Sequence, residues 1–468
     1  MNKLHHLTIL LCAVACMTAC SDKNYYEENY YNTPVEEESP QPVPTLEELD
    51  MLAEANCYGT FGNQLAPSWI FMANNIGQYY GGDCPLVFND DIIGLEFTNP
   101  GEGREMTLRM KESAINEESV LRFRLPEDET VGLCYPVVWN YDALRENMNE
   151  KKVTMAWEVE IDGKFVGEYI RTFRCLPATY FNTNLILNAN ATLDEGCQLK
   201  DLNWGEIPHW IVPDTTPEGE SVENLFFDTS AFLAGWVEET HPLIDQLKRE
   251  AIDAGAISKF TGTQSGDEGI IAQLKALWYV LEKRHFTYTM YGKPLDGQYV
   301  RFLDEVIGRR QGYCAEVAHT LASLCQSIGL ETAFASVPGH VYIVVKDCEG
   351  DWSIPVEGTA LGTQQLCPFL DLSAPVEEQI AESSRHFDAM MEYASNKWDI
   401  ALQELTNGTL QYSFHPITPL LHHVGSMGHG ASVSRTAGQE KVKFVKNRIK
   451  SPAIDKQVME NLPLQTDK

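Results

Sequence analysis

Cys314, His340 and Glu357 are the residues of this chain whose types and spacing could do chemistry together. A cysteine thiolate attacks a carbonyl carbon, an imidazole moves the proton, and a carboxylate holds that imidazole in one tautomer while stabilising its charged form. All three fall within RRQGYCAEVAHTLASLCQSIGLETAFASVPGHVYIVVKDCEGDWSIPVEGT, which runs from Arg309 to Thr359. Their roles depend on a helix and a hairpin bringing them together.

The helix is carried by Val317, Ala318, Leu321, Leu324, Cys325 and Ile328 at helical spacing, with Gly329 as its stop. Cys314 opens it. At a helix start a thiol sits beside unpaired backbone N–H groups and the positive end of the dipole, which favours the thiolate. Cys314 lies on the apolar stripe and faces whatever the helix packs on, whereas His319, about 140° round the wheel, points elsewhere. Cys325 shares the stripe and reads as core.

Two strands follow. Val341, Ile343 and Val345 alternate with His340, Tyr342, Val344 and Lys346, and beyond Asp347-Cys348-Glu349-Gly350 the residues Trp352, Ile354 and Val356 alternate with more polar ones. Folding the pair about the middle of that turn sets Val341 against Val356, Ile343 against Ile354, Val345 against Trp352 and Lys346 against Asp351. A slip of one residue would pair apolar with polar throughout. This register predicts His340 directly opposite Glu357, with Cβ atoms ~5 Å apart on one face.

The run G-Y-C-A-E-V-A, the small-residue helix ending in S-I-G-L, the strand H-V-Y-I-V-V and the strand W-S-I-P-V-E-G-T resemble the transglutaminase-like superfamily, a papain-like cysteine fold. The helix and extended segment from Leu277 to Tyr288 extend the resemblance upstream. It implies Cys314 as nucleophile, His340 as general base and Glu357 as the orienting carboxylate. The sequence departs from the pattern in carrying Glu where Asp is usual and in a spacing one residue longer after Trp352. The backbone N–H of Cys314 supplies one oxyanion donor, and Trp278 or Tyr288 is the candidate for a second.

Upstream, MNKLHHLTILLCAVACMTAC has one lysine, an apolar stretch too short to span a bilayer, and small residues before Cys20. This resembles a bacterial lipoprotein signal, which implies cleavage before Cys20 and lipidation of that cysteine. The acidic run after it is similar to surface-export signals of Bacteroides-type lipoproteins. The expectation is a cell-envelope, outer-membrane lipoprotein held through Cys20, on either the periplasmic face or the surface.

The expected order is a signal over 1–20, an acidic and proline-rich tether over 21–48, a β-sandwich over 49–190, a linker over 191–217, the cysteine domain over 218–430 and a basic tail over 431–468. The class is therefore α+β, an N-terminal β-sandwich followed by a transglutaminase-like, papain-like domain. In the first domain Val153, Met155, Trp157, Val159 and Ile161 alternate strictly with more polar residues, and Asp162-Gly163 marks a hairpin. An immunoglobulin-like arrangement is one form such a sandwich takes. The tail, with Lys441, Lys443, Lys446, Arg448 and Lys450, reads as solvated or disordered.

A formal net charge of −32 repels phosphate backbones and argues against nucleic-acid partners. Cys12 and Cys16 leave with the signal and Cys20 is the lipid site, so nine cysteines remain, an odd number compatible with a free Cys314 and with up to four disulfides. His422, His423 and His429 do not make a convincing ligand set, and no cofactor or metal is expected. The resemblance implies cleavage or transfer of peptide or protein amides, hydrolysis being favoured over aminolysis. The alternatives are a non-catalytic envelope lipoprotein that uses the same fold to bind a protein or glycan, and a purely structural part of an envelope complex.

Overall fold

The computed structural model describes residues 42–55, 63–72, 92–181, 184–188, 211–213, 224–228, 230–290, 298–409, 412–421, 427 and 443–444. From Val43 onward they belong to one compact unit of mixed α+β architecture, with several sheets. The expected signal, lipidation site and most of the tether, with His422, His423 and His429, lie outside these residues.

The N-terminal region holds two larger sheets. One contains β1 (Ile93–Thr98) and β4 (Thr130–Tyr135); the other orders the short strand Gln64–Leu65, then β6 (Lys164–Cys175), β5 (Lys151–Ile161), β2 (Glu105–Met110) and β3 (Ser119–Arg124). The alternation in β5 does what its period demands, since Val153, Met155, Trp157, Val159 and Ile161 are all buried. The rings of Tyr135 on β4 and Trp157 on β5 meet edge to face with centroids 6.1 Å apart, and the Tyr135 hydroxyl accepts the Met110 N–H.

Three segments between or beyond the expected domains take part in the described structure. The end of the tether belongs to the folded body, because Val43 and Leu46 pack on the core and Glu48 caps a turn by accepting the Thr45 N–H at 2.6 Å. Within the expected linker, Ile211–Pro213 pairs with Asn224–Asp228, which also pairs with Asn184–Asn188; the rest of the linker is not described. Within the expected solvated tail, Lys443–Phe444 pairs antiparallel with Leu133 and Cys134 of β4. Short extended pairs of this kind carry too little periodicity to be read from sequence.

The C-terminal half is built from helices around a four-stranded antiparallel sheet. Its helices include Pro242–Asp253, α1 (Gly266–Lys283), α2 (Cys314–Gln326) and the 32-residue α3 (Val376–Asn407). The sheet runs β9 (Trp352–Val356), β8 (His340–Lys346), β7 (Thr332–Val337), β10 (Ser413–Pro416). Helix α2 lies in the core, its Val317, Ala318, Leu321, Leu324 and Cys325 all buried. Cys175, Cys314, Cys325, Cys348 and Cys367 are free thiols, which lowers the ceiling of four disulfides.

Candidate active site

Cys314 is the first residue of α2, following Tyr313 in extended conformation. The turn before it is held by Glu316, two residues on and fully buried. The Glu316 carboxylate accepts the Arg301 backbone N–H at 3.0 Å, Arg301 Nε at 2.8 Å, Arg301 Nη2 at 2.6 Å and the Tyr313 N–H at 3.3 Å. Arg301 Nη2 also donates to the Gln311 carbonyl at 2.9 Å. A buried carboxylate this fully bonded fixes the backbone on both sides of the thiol. His319, as its helical phase requires, points away: it is fully buried, with Nε2 3.0 Å from the Arg301 carbonyl, and burial lowers its pKa to about 3.

The hairpin register is two residues away from the sequence expectation. Ile343 pairs with Val356 and Val345 with Ile354; a bulge then brings Lys346 opposite Trp352. Two local features each contribute one residue. The Asp347 N–H donates to the Asp351 carbonyl at 2.9 Å, so the loop is Cys348-Glu349-Gly350, with Gly350 at φ 96° in the left-handed region such loops require. The Asp347 carboxylate then accepts the Ser353 hydroxyl at 2.6 Å beside the bulge. An even shift keeps every side chain on its face. His340 and Glu357 therefore still meet, as diagonal rather than directly opposite neighbours.

Glu357 lies just past β9 and opens the short turn Gly358–Ala360. His340 Nε2 donates to Glu357 Oε2 at 2.7 Å, and the same oxygen accepts Lys397 Nζ from α3 at 3.1 Å. Oε1 accepts the Thr359 N–H at 3.1 Å and the Thr359 hydroxyl at 2.6 Å. Gly358 lets this turn press on α2: a Cβ there would lie 2.7 Å from Leu321 Cδ1 and closer still to Val317 Cγ1. The second polar neighbour of the imidazole, beside Glu357, is Cys314.

Burial alone would lower the His340 pKa, but its hydrogen bonds with Cys314 and Glu357, reinforced by the Glu357 charge, raise it to about 9. Burial would raise Glu357, yet the hydrogen bond and charge of His340, with help from Lys397 and Thr359, bring it down to about 2. A proton on this imidazole is thus held at neutral pH beside an ionised carboxylate.

The two aromatic candidates fare differently. Trp278 is core, its ring packed edge to face on Phe387 with centroids 5.7 Å apart. Tyr288 is half-buried and pairs in parallel with Gly312, and its N–H donates to the Leu361 carbonyl at 3.0 Å, so its backbone runs beside the approach to Cys314. Sequence reading missed Arg301, Glu316, Thr359 and Lys397. Glu316 three residues after Tyr313 carries a capping signal and Thr359 follows Glu357 closely, but nothing local marks Arg301 or Lys397.

No protein-family model matches the chain, and no curated protein does. Among solved structures, one from Cytophaga hutchinsonii provisionally named a cysteine protease is 11% identical, covering 57% of this chain and 75% of its own, with a TM-score of 0.19. Another from Parabacteroides distasonis, provisionally named a protease, is 11% identical, covering 55% of this chain and 61% of its own, with a TM-score of 0.22.

Proposed function

We propose that the chain is a transglutaminase-like cysteine enzyme that hydrolyses peptide or protein amides through Cys314, His340 and Glu357. The single observation that carries this is the His340 imidazole, hydrogen-bonded at Nε2 to a buried, ionised carboxylate and neighboured by a thiol at a helix start. Cys314 sulfur attacks the amide carbonyl carbon while its proton resides on His340. The backbone N–H of Cys314 donates to the developing oxyanion, and collapse expels the amine with the proton from His340. Water, deprotonated by the now neutral imidazole, then cleaves the thioester, which returns the thiol and releases the acid.

Around this centre we read the two N-terminal sheets as a β-sandwich, a reading supported by the core that their facing residues share. We also retain the reading of a lipoprotein anchored through Cys20, which rests on the leader sequence.

The test is a peptide library incubated with the full chain, with C314A and with H340A, read by mass spectrometry, beside the alkylation rate of Cys314. The expectation is cleavage by the wild-type chain only. Equal cleavage by C314A sinks the proposal, as does no cleavage together with a Cys314 that alkylates no faster than a free cysteine peptide; the latter outcome favours the binding-protein alternative. Palmitate incorporation that persists in C20A would remove the anchor reading.

A further inference from the structure

Glu357 Oε2 accepts from two cations at once, and only one of them belongs to the arrangement proposed above. His340 Nε2 lies 2.7 Å from that oxygen and Lys397 Nζ 3.1 Å from it. Lys397 comes from α3, far along the chain, and that helix is anchored to β9 and the residue after it at two points, one two turns before Lys397 and one at the next residue. Met390 Sδ accepts the Glu357 N–H at 3.2 Å, and Trp398 Nε1 donates to the Trp352 carbonyl at 3.0 Å. Further up, α3 is fixed to α1 by His386 Nδ1 at 2.8 Å from Glu282 Oε1 and by Lys275 Nζ at 2.7 Å from Asp388 Oδ1. The Lys397 ammonium lies over the Tyr393 ring, 4.6 Å from its centroid. A lysine packed in this way, on a helix fixed at several points, does not arrive at a buried carboxylate as a wandering surface charge.

We propose that Lys397 is a positioning residue: by sharing Oε2 of Glu357 with the imidazole it limits how strongly the carboxylate holds the His340 proton. The inference rests on the cysteine-enzyme reading for its purpose but not for its measurement. The titratable groups around Glu357 are few. His340 and Tyr342 come from β8 and Lys397 from α3, with Tyr393 beneath the lysine, while Cys314 faces the imidazole from α2. Burial raises the Tyr342 phenol far above neutrality, so it adds no charge. Lys397 is therefore the cation that competes with imidazolium for this carboxylate, and both bonds end on one oxygen, which places the two cations within about 6 Å of each other.

The sign follows directly. A lysine charge beside the imidazolium disfavours the protonated ring, so removing it makes His340 harder to deprotonate. Coulomb attenuation over that distance, discounted because the lysine side chain is about a third exposed, gives a shift of about 0.5 to 1 pH unit. The experiment titrates the full chain carrying 13C-labelled histidine, with His340 assigned by loss of its signal in H340N, across the neutral and alkaline range. The expectation is a His340 midpoint raised by about 0.5 to 1 pH unit in K397M and in K397Q, and restored in K397R. A midpoint that is unmoved or lowered in both neutral variants overturns the proposal, and so does K397R behaving like K397M. Two neutral variants guard against one that folds poorly. Amide cleavage by the same samples is a separate readout: its absence with the midpoint shift intact removes the enzyme reading and leaves Lys397 in its role.

Discussion

Replacing Glu316 with alanine removes a carboxylate that takes no part in the proposed chemistry yet holds the backbone around Cys314. The side chain is fully buried and accepts four hydrogen bonds, three from Arg301 and one from the Tyr313 N–H. Glu316→Ala removes the carboxylate that accepts three hydrogen bonds from Arg301, whose side chain is only 13% exposed. Removing one member of a buried pair costs about 3–5 kcal/mol, and loss of the Tyr313 N–H bond to the same carboxylate adds to that. E316Q keeps the shape but turns an amide NH2 toward donors, which costs about 2 kcal/mol. In R301M/E316A no charge is left unpaired, so the double variant should be more stable than E316A by about 1–3 kcal/mol. Urea midpoints measure all of this, and the alkylation rate of Cys314 reports whether the turn has moved. Should E316A cost under about 1 kcal/mol, or should the two single effects simply add, the pair is not what fixes the start of α2.

Two further outcomes can be measured on the same footing. Glu357, brought from 4.5 to about 2, contributes stability that is complete above its unfolded value and is lost as pH falls from 4.5 toward 2; His340, raised from 6.5 to about 9, contributes stability that is complete below 6.5 and is lost as pH rises through 9. The His340–Glu357 bond contributes to both, beside Cys314 on the histidine and Lys397 and Thr359 on the carboxylate, so E357Q should reduce the pH dependence of the urea midpoint at both ends, and parallel profiles for E357Q and wild type would refute the coupling. Gly358→Ala forces a methyl group into Val317 and Leu321 of α2 and should cost about 1–3 kcal/mol with slower Cys314 alkylation; a neutral effect would mean that the turn and helix are not in firm contact.

The parts legible in the sequence are those where one period runs uninterrupted. The alternation of β5 marked its buried face correctly, and the apolar stripe of α2 placed Cys314 at the start of a helix and directed His319 elsewhere. The hairpin failed in an instructive way, since the alternation fixed which face each residue takes but not the count across the turn. Asp347 closes a three-residue loop and a bulge follows, and neither leaves a mark on hydrophobic periodicity. His340 and Glu357 meet nevertheless, because an even slip keeps faces. Long-range polar partners were invisible for a different reason: no local pattern around Arg301 or Lys397 marks a partner, and only the packed helices and turns choose their carboxylates. Trp278 shows the converse, an aromatic at helical spacing whose indole serves the core.

The strand Gln298–Tyr299, which runs directly into Arg301, pairs with Tyr180–Phe181 from the N-terminal region. The Val300 N–H continues the pairing to the Thr179 carbonyl at 2.8 Å, and the Tyr313 hydroxyl donates to the Tyr299 carbonyl at 3.1 Å. Aromatic pairs thicken the same seam: Trp69 with Phe232, Tyr180 with Tyr299, and Phe181 with Trp236. The two halves are therefore not interchangeable cassettes. A recombination joint placed between them would separate the residue that clamps Glu316 from the strand that aligns it, and would bare a row of aromatic rings. Exchange with another protein at this seam would have to carry both sides together, so the heritable module is the pair.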